Sequence, residues 1–215
     1  MRVAIVGATG QVGSRLLQEA LHRGHAVIAI VRNPSKLPQH PLLRGTATDV
    51  FDTAALTAAI RGTQALLQAY RPPREDPLEA RIDGQRRATR SIVAAAKAAA
   101  VARVLAVGGA GTLEVAPGVL NMDRPEFPAA WKGGAAATAQ VKEVLQTQRE
   151  VQWTMLCPAH NLVAGERTGQ FRLGTDQLLV DANGDSRISF EDFAVALLDE
   201  LEHPRHTGRR FTVGY

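Results

Sequence analysis

The chain has 215 residues, of which 45% are hydrophobic, and a formal net charge of +4; these values indicate one globular domain and exclude a disordered or fibrous protein. No apolar run approaches the roughly 18 residues of a membrane helix, and no basic run with interleaved aromatic residues suggests nucleic-acid binding. Cys157 is the only cysteine, so no disulfide forms within the chain, and its first residues lack a signal-peptide pattern. We expect a cytoplasmic protein with residues 1–215 in one domain, no membrane or nucleic-acid partner, and a homo-oligomer as an open option.

The first 32 residues predict a strand, a glycine-rich turn, a helix and a second strand. Residues 2–6 and 27–31 are short apolar runs rich in β-branched residues, which is typical of buried strands. Between them, apolar residues recur at the spacing of one helix face, and Gly24 stands where a helix C-cap glycine belongs. The turn that joins the first strand to the helix reads Gly7-Ala8-Thr9-Gly10-Gln11-Val12-Gly13.

Each glycine of this turn has a separate purpose in a dinucleotide-binding site. Gly7 permits a tight turn, Gly10 lets a diphosphate approach the backbone, and Gly13 lets the helix pack against the strand. Unpaired N–H groups and a partial positive charge at the helix start favour an anion. The alternative is a tight turn without a ligand. We predict that the cofactor contacts Gly7, Thr9, Gly10, Gln11, Val12 and Gly13.

The end of the second strand favours NADP(H) over NAD(H). An NAD site usually has an acidic residue here that bonds the ribose 2′-hydroxyl, but this chain has no acidic residue between Glu19 and Asp49. Arg32 stands at that point, with Lys36 close behind, and a guanidinium can bond a 2′-phosphate with two N–H groups. The alternative for Arg32 is a solvated surface position.

The third and fourth strands, predicted at residues 42–48 and 65–69, add further contacts. Asp49 follows the third strand and can accept a bond from the adenine amino group, with Val50 packing on the ring; capping of a helix over residues 54–60 is an equal alternative for Asp49. A stiff basic loop, residues 70–74, follows the fourth strand. Its Arg71 is a candidate for a phosphate or an acidic substrate, and a plain exposed arginine is the alternative.

The middle of the chain predicts a helix at 79–99, a strand at 101–107, a helix from Trp131 to about residue 148 and a strand at 151–157. Gly108 and Gly109 follow the fifth strand and leave room for a nicotinamide ring, unless they form a flexible loop. Pro158 and His160 follow the sixth strand and face the same ring. The irregular segment 113–128 is a candidate lid over the substrate.

Residues 165–215 predict short strands at 171–173, 178–180, 187–189 and 211–213 and a helix at 190–201, which together form a small cap on the substrate side. Residues 181–192 resemble a calcium-binding loop, but its sixth position is Ser186 instead of glycine and its twelfth is Asp192 instead of glutamate. A turn at Asn183-Gly184 and a helix cap at Ser189 explain the segment better. We predict no metal site.

These motifs give the chain a resemblance to the atypical short-chain dehydrogenase/reductase superfamily, closest to the small NAD(P)H-binding proteins similar to biliverdin reductase B, flavin reductases and NmrA-like proteins. The residues that carry it are Gly7 to Gly13, Val31 to Pro34, Thr48 to Val50, Val107 to Gly111 and Arg187 to Phe193. The resemblance implies an α/β fold, a doubly wound parallel sheet of the NAD(P)-binding Rossmann type with a small C-terminal cap.

One departure from the superfamily bears on the reaction. Typical members carry a Tyr-x-x-x-Lys pair, whereas here Trp131 precedes Lys132 and neither tyrosine of the chain is four residues before a lysine. This favours hydride transfer to a flavin, a quinone or a similar acceptor, which needs little help with protons. Trp131 can stack on the acceptor, Lys132 can pair with its anionic group and His160 can donate a proton. The alternatives are a core tryptophan, a solvated lysine and a capped loop histidine.

Two other functions stay open at this point. The first is a non-catalytic NADP(H) sensor that binds a partner protein, as in the NmrA-like resemblance. The second is a nucleotide-sugar epimerase or dehydratase, which is the weaker alternative because such enzymes need the Tyr/Lys pair.

Overall fold

The structure, a computed structural model, describes residues 1–215 and is organised around one eight-stranded sheet. Two additional pairs of short strands lie outside that sheet. The strands are β1 (Arg2–Val6), β2 (Ala26–Val31), β3 (Leu43–Ala47), β4 (Ala65–Gln68), β5 (Arg103–Val107), β6 (Glu114–Ala116), β7 (Val119–Leu120), β8 (Gln152–Pro158), β9 (Asn161–Val163), β10 (Arg172–Gly174), β11 (Arg187–Ser189) and β12 (Arg209–Gly214). The helices are α1 (Gln11–His22), α2 (Thr53–Ile60), α3 (Leu78–Ala98), α4 (Ala129–Gln146) and α5 (Phe190–Glu202).

The strand order in the main sheet is β10-β12-β8-β5-β4-β1-β2-β3. All neighbours are parallel except the edge strand β10, which runs antiparallel to β12. The order reverses direction between β1 and β4, and ligands of open α/β sheets bind at the carboxyl ends of the strands beside such a point. The predicted doubly wound parallel sheet is confirmed.

Helices cover both faces of the sheet, which is why its strands are apolar runs with little alternation. Val3 and Ile5 of β1 pack under α1 and α5, where Phe193 is fully buried. Ala4 and Val6 face the opposite side, under α2, α3 and α4. The two cores therefore fix β1, and with it the glycine turn, from both faces.

Residues 165–215, which the sequence predicts as a small cap, also contribute strands and a helix to the main layers of the fold. β10 and β12 lie in the central sheet and α5 packs beside α1. Residues 178–180 form no strand, since only Gln177 makes an isolated bridge to Glu114. The Ser189 cap is confirmed, because its hydroxyl accepts a bond from the Asp192 N–H over 2.9 Å. Whether any part of residues 165–215 covers a substrate stays a prediction.

Segment 113–128 is more ordered than the irregular lid that the sequence predicts. β6 and β7 form a short hairpin around Gly118, which has a φ of +74°. A 3-10 turn over Asn121–Asp123 follows. The hairpin and turn carry two side chains, Asn121 and Phe127, to the carboxyl end of the sheet, as described below.

Ionic contacts fasten the carboxyl-terminal half to α1. Glu19, 5% exposed, accepts bonds from Arg23 and from Arg167, the latter at 2.7 Å and 2.8 Å. Asp192 is fully buried and accepts bonds from the backbone of Thr168 and Gly169. These contacts hold the loop before β10 against the helical layer. None of the five helices is both long enough and apolar enough to cross a lipid bilayer.

Candidate functional site

The turn between β1 and α1 has the close backbone packing that its glycines predict. Gly7 has a φ of +81°, and a Cβ there would lie 2.7 Å from the carbonyl oxygen of Ala69 at the end of β4. A Cβ on Gly13 would overlap the carbonyl oxygen of Gly7. Side chains at either position are therefore excluded by backbone, which cannot move aside as a flexible side chain can.

The start of α1 is free to bind an anion. The first helical N–H with a backbone acceptor is that of Ser14, which donates to Gly10, so the N–H groups of Gln11, Val12 and Gly13 have no backbone partner. No side chain caps this end and no acidic residue lies in its first turn. Such an end attracts a phosphate through its N–H groups and its dipole. The residues present therefore fit a dinucleotide diphosphate.

A cleft of about 800 Å³ runs beside this turn, over the carboxyl ends of β1, β2 and β4. Among its lining residues are Gly7, Thr9, Gly10, Arg32, Asp49, Val50 and Arg71, all of which the sequence predicts as cofactor contacts. A second cleft of about 820 Å³ lies at the amino ends of β8 and β12, remote from the glycine turn. The first cleft is the candidate cofactor site because it lies at the switch point of the sheet.

The wall of this cleft beyond Val50 is aromatic, which the sequence did not predict. The rings of Phe51 and Tyr70 meet edge to face with centroids 5.9 Å apart, and the guanidinium of Arg87 lies 5.0 Å from the centre of the Phe51 ring. Burial raises the pKa of Tyr70, although the positive charge of Arg32 acts in the opposite direction. A flat base would find stacking partners here. Phe51 is 39% exposed, an unusual position for a large apolar ring and the signal that could have drawn attention to it.

Asp49 has a defined local contact. Its Oδ1 accepts a bond from the Phe51 N–H over 2.9 Å, whereas the N-cap of α2 is Asp52, which accepts from Ala55. The proposed capping alternative for Asp49 therefore belongs to Asp52. Lys36 ends an exposed 3-10 turn, Pro34–Lys36, and lies outside the residues that line the cleft.

Gly108 and Gly109 follow β5 as predicted. Close packing against Cys157 is sufficient to explain why position 108 is a glycine. A Cβ on Gly108 would lie 2.5 Å from the Cys157 sulfur, and one on Gly109 would lie 3.1 Å from the Thr138 side chain. Pro158 ends β8 and is buried. Neither glycine nor Pro158 lines the cleft described above.

Trp131 and His160 come together at the carboxyl end of β8, although they are 29 positions apart in the chain. Their ring centroids lie 5.0 Å apart, and Phe127 contacts both rings at 6.4 Å and 5.7 Å. Trp131 is 44% exposed. A planar ligand therefore has access to an aromatic surface at the place where the sequence predicts the acceptor.

Asn121, which the sequence did not predict as a site residue, sets the tautomer of the His160 ring. Asn121 is 1% exposed, and its Nδ2 lies 3.3 Å from the Ala110 carbonyl oxygen and 3.0 Å from His160 Nδ1. The carbonyl only accepts, so the Asn121 amide donates to both partners and Nδ1 carries no proton. The neutral ring then carries its proton on Nε2. Burial and the charge of Arg124 lower the pKa of His160, which keeps the ring neutral at pH 7.

Lys132 and Arg71 are placed differently from this ring pair. Lys132 is exposed at the start of α4 and makes no ion pair. Arg71 lies in the loop after β4, and its guanidinium packs against Gly134, one turn along α4 from Trp131. Arg71 therefore connects the cofactor cleft with the beginning of α4.

Comparison with known proteins agrees with this geometry. A sequence profile described as NAD(P)H-binding matches residues 7–204. The chain belongs to this NAD(P)H-binding family. A nicotinamide dinucleotide is therefore its cofactor class, and the expected membership of an NAD(P)H-binding family is confirmed.

Two relatives illustrate the range of the family. The uncharacterized protein YwnB of Bacillus subtilis is 40% identical over 217 residues, which cover 99% of this chain and 98% of YwnB. A 3-diazoavenalumate denitrifying reductase from a Streptomyces species is 33% identical over 192 residues, 84% of this chain but 62% of that relative. The chain thus spans less than two thirds of that reductase.

Solved structures share the fold over the whole chain. A candidate epimerase from Bacteroides thetaiotaomicron is 38% identical with a TM-score of 0.91, and all of this chain and 96% of that one are covered. A candidate NADH-flavin reductase from Streptococcus pneumoniae is 28% identical with a TM-score of 0.86, at 100% and 99% coverage. The NAD(P)H-binding profile, the candidate NADH-flavin reductase structure and the Streptomyces relative support an oxidoreductase in general terms.

Proposed function

We propose that this protein is an NADPH-dependent reductase that passes a hydride to a flavin, a quinone or a similar electron-poor ring. The observation that carries the proposal is the accessible pair of Trp131 and His160. The resemblance to short-chain dehydrogenases would place a tyrosine acid at the position of Trp131. The chain has no Tyr-x-x-x-Lys pair. Acceptors that need a general acid, such as ketones, are therefore disfavoured, and electron-poor rings are favoured.

NADPH is the proposed form of the cofactor because of Arg32. This exposed arginine lines the cleft at the end of β2 and forms no ion pair, so its guanidinium is available to a 2′-phosphate. The N–H groups at the start of α1 hold the diphosphate. The aromatic wall of Phe51 and Tyr70 then receives the adenine, with Asp49 beside it.

The nicotinamide cofactor, when bound, supplies the hydride. The contribution of the protein is to hold the two reacting rings in contact and to respond to the charge that develops on the acceptor. Trp131 stacks on the acceptor ring. His160 donates a hydrogen bond from Nε2 to an acceptor atom that gains negative charge, much as a neutral imidazole can polarise a carbonyl. Water then supplies the proton.

The relatives support this proposal in part. The candidate NADH-flavin reductase from Streptococcus pneumoniae and the Streptomyces relative are both named as reductases. The candidate epimerase is similar in fold, but the missing Tyr/Lys pair argues against that reaction here. The single cysteine and the use of a reduced cofactor are also consistent with the proposed cytoplasmic location.

The test is NADPH oxidation with a panel of flavins and quinones, for the native protein and for Trp131→Ala. We expect turnover near the median enzyme rate of about 10 s⁻¹ with at least one acceptor. Trp131→Ala raises KM for that acceptor at least tenfold, whereas Leu173→Ala, which changes an equally exposed residue on β10, leaves it unchanged. Tight NADPH binding without turnover on any acceptor contradicts the reductase and favours the sensor.

A further inference from the structure

Three arginines without a carboxylate partner meet where α3 and α4 begin. Arg71 and Arg74 lie in the loop after β4, and Arg81 lies in the first turns of α3. None of the three forms an ion pair, whereas the more buried Arg23, Arg103 and Arg210 all do. The Nε of Arg81 is shielded from solvent and has no hydrogen-bond partner. A shielded guanidinium N–H without an acceptor is costly, so an acceptor bound at this cluster would be favoured.

Two glycines of α4 make space for these guanidinium groups. A Cβ on Gly134 would overlap a terminal nitrogen of Arg71 and would lie 3.4 Å from one of Arg81. A Cβ on Gly133 would lie 2.8 Å from the other terminal nitrogen of Arg81. Glycine costs helix stability relative to alanine, and here the missing side chains let both guanidinium groups reach one point close to the start of α4.

The charges at this point repel each other. Arg71 keeps part of its surface exposed, but partial burial of its guanidinium, together with the neighbouring Arg74 and Arg81, lowers its pKa. The acidic residues of the adjacent cleft wall, Glu75 and Asp76, form no ion pair with any of the three. A bound anion would relieve this repulsion and satisfy the N–H groups at the same time.

We propose that Arg71 and Arg81 bind a phosphate group of the acceptor, so that a phosphorylated flavin is preferred to the same flavin without phosphate. This inference rests on the proposed reductase function. The diphosphate of the cofactor already has its own donors at the start of α1. The guanidinium groups instead contact α4 one turn from Trp131, where the acceptor ring stacks. Two separate guanidinium groups suit the three oxygens of a phosphate, whereas a carboxylate is matched by one.

The experiment compares riboflavin with flavin mononucleotide as acceptors at saturating NADPH. For the native protein we expect KM for flavin mononucleotide at least tenfold below that for riboflavin. Arg81→Gln removes most of this difference by raising only the KM of the phosphorylated flavin. Arg90→Gln, which changes an exposed and unpaired arginine of the same helix, retains the difference. Gly134→Ala, which displaces the Arg71 guanidinium, behaves like Arg81→Gln.

Equal KM values for the two flavins in the native protein overturn the inference while leaving the reductase intact. A loss of NADPH affinity in Arg81→Gln with unchanged preference between the flavins also overturns it, because the arginines would then serve the cofactor. If no flavin is reduced, calorimetric titration of inorganic phosphate into the protein saturated with NADP⁺ tests the site alone. Binding that Arg81→Gln weakens at least fivefold supports it, and binding that is absent or insensitive to this change refutes it.

Discussion

The side-chain amide of Asn121 donates a hydrogen bond to His160 Nδ1 over 3.0 Å and is held in that orientation by the Ala110 carbonyl. Protonation of Nδ1 would place two donors against each other, so this contact opposes the charged ring in addition to burial. His160 is therefore presented to a ligand as a neutral donor through Nε2.

Asn121→Asp is expected to reverse this arrangement. A carboxylate accepts a bond from an Nδ1–H and stabilises the imidazolium, so the pKa of His160 rises and acceptor reduction becomes pH-dependent around neutrality. Nitrogen chemical shifts of the labelled ring, measured between pH 5 and 8, report both the tautomer and the pKa. Asn183→Asp, on an exposed turn, is the control. An unchanged ring spectrum in Asn121→Asp would show that the amide does not set the tautomer.

Arg32→Ala is expected to weaken NADPH binding about ten- to a hundredfold, because a charge-assisted hydrogen bond is worth roughly 1.5–3 kcal/mol. NADH binding changes little, since NADH has no 2′-phosphate. Fluorescence titration with both cofactors gives the two affinities. Arg44→Ala removes another exposed arginine, on β3, and should leave both unchanged. Equal NADPH affinity in native and Arg32→Ala proteins would remove Arg32 from the site.

Gly13→Ala is expected to destabilise the protein and to weaken cofactor binding together. The new methyl group overlaps the Gly7 carbonyl, and overpacking of this kind costs about 1–3 kcal/mol. Gly84→Ala is the matched change within α3, where a Cβ meets only Pro72 at 3.9 Å; it should stabilise the helix by up to about 1 kcal/mol. Urea unfolding measures the free energy of unfolding of both variants. A Gly13→Ala protein as stable as the native one contradicts the packing described here.

The free energy of unfolding is expected to depend on pH through Glu19. Burial alone would raise the pKa of this carboxyl, but the bonds from Arg167 and Arg23 outweigh it and lower the pKa to about 2. A lowered pKa means that the stabilisation is present above the unfolded value near 4.5 and is lost as the pH falls toward 2. Glu19→Gln should therefore lose roughly 2 kcal/mol at pH 7 and show a flatter pH dependence below pH 5.

The control for Glu19 is Glu126→Gln, which breaks an exposed ion pair with Arg124 at 3.4 Å. Exposed pairs contribute about 0–1 kcal/mol, so this variant should keep both the stability and the pH profile of the native protein. If the two variants lose equal amounts of free energy at pH 7, the buried network of Glu19 has no special role.

Local sequence was sufficient for the glycine turn and for most helices and strands, because a turn with Gly7 and Gly13 depends on neighbours only a few positions away. Asn121 could not be predicted, since its partner His160 is 39 positions distant and the contact exists only after β5 and β8 pair. The meeting of Arg71 and Arg81 with Gly134 depends likewise on the packing of α3 against α4.

The positions of β10 and β12 in the main sheet also depend on contacts between distant parts of the chain, so local sequence does not predict them. Short runs such as residues 211–213 predict a strand but not its neighbour, because pairing is chosen by long-range packing. Residues 178–180 show the converse, since an apolar run without a partner strand remains irregular.

Cys157 has no exposed surface and packs against Gly108, and burial raises the pKa of its thiol. Thiolate-selective reagents should therefore not react with Cys157 in the native chain. A cysteine introduced on the surface, for example by Ser35→Cys in the exposed 3-10 turn, would then be the single labelling position. A fluorophore attached there could follow ligand binding beside Arg32 without any need to delete the natural cysteine first.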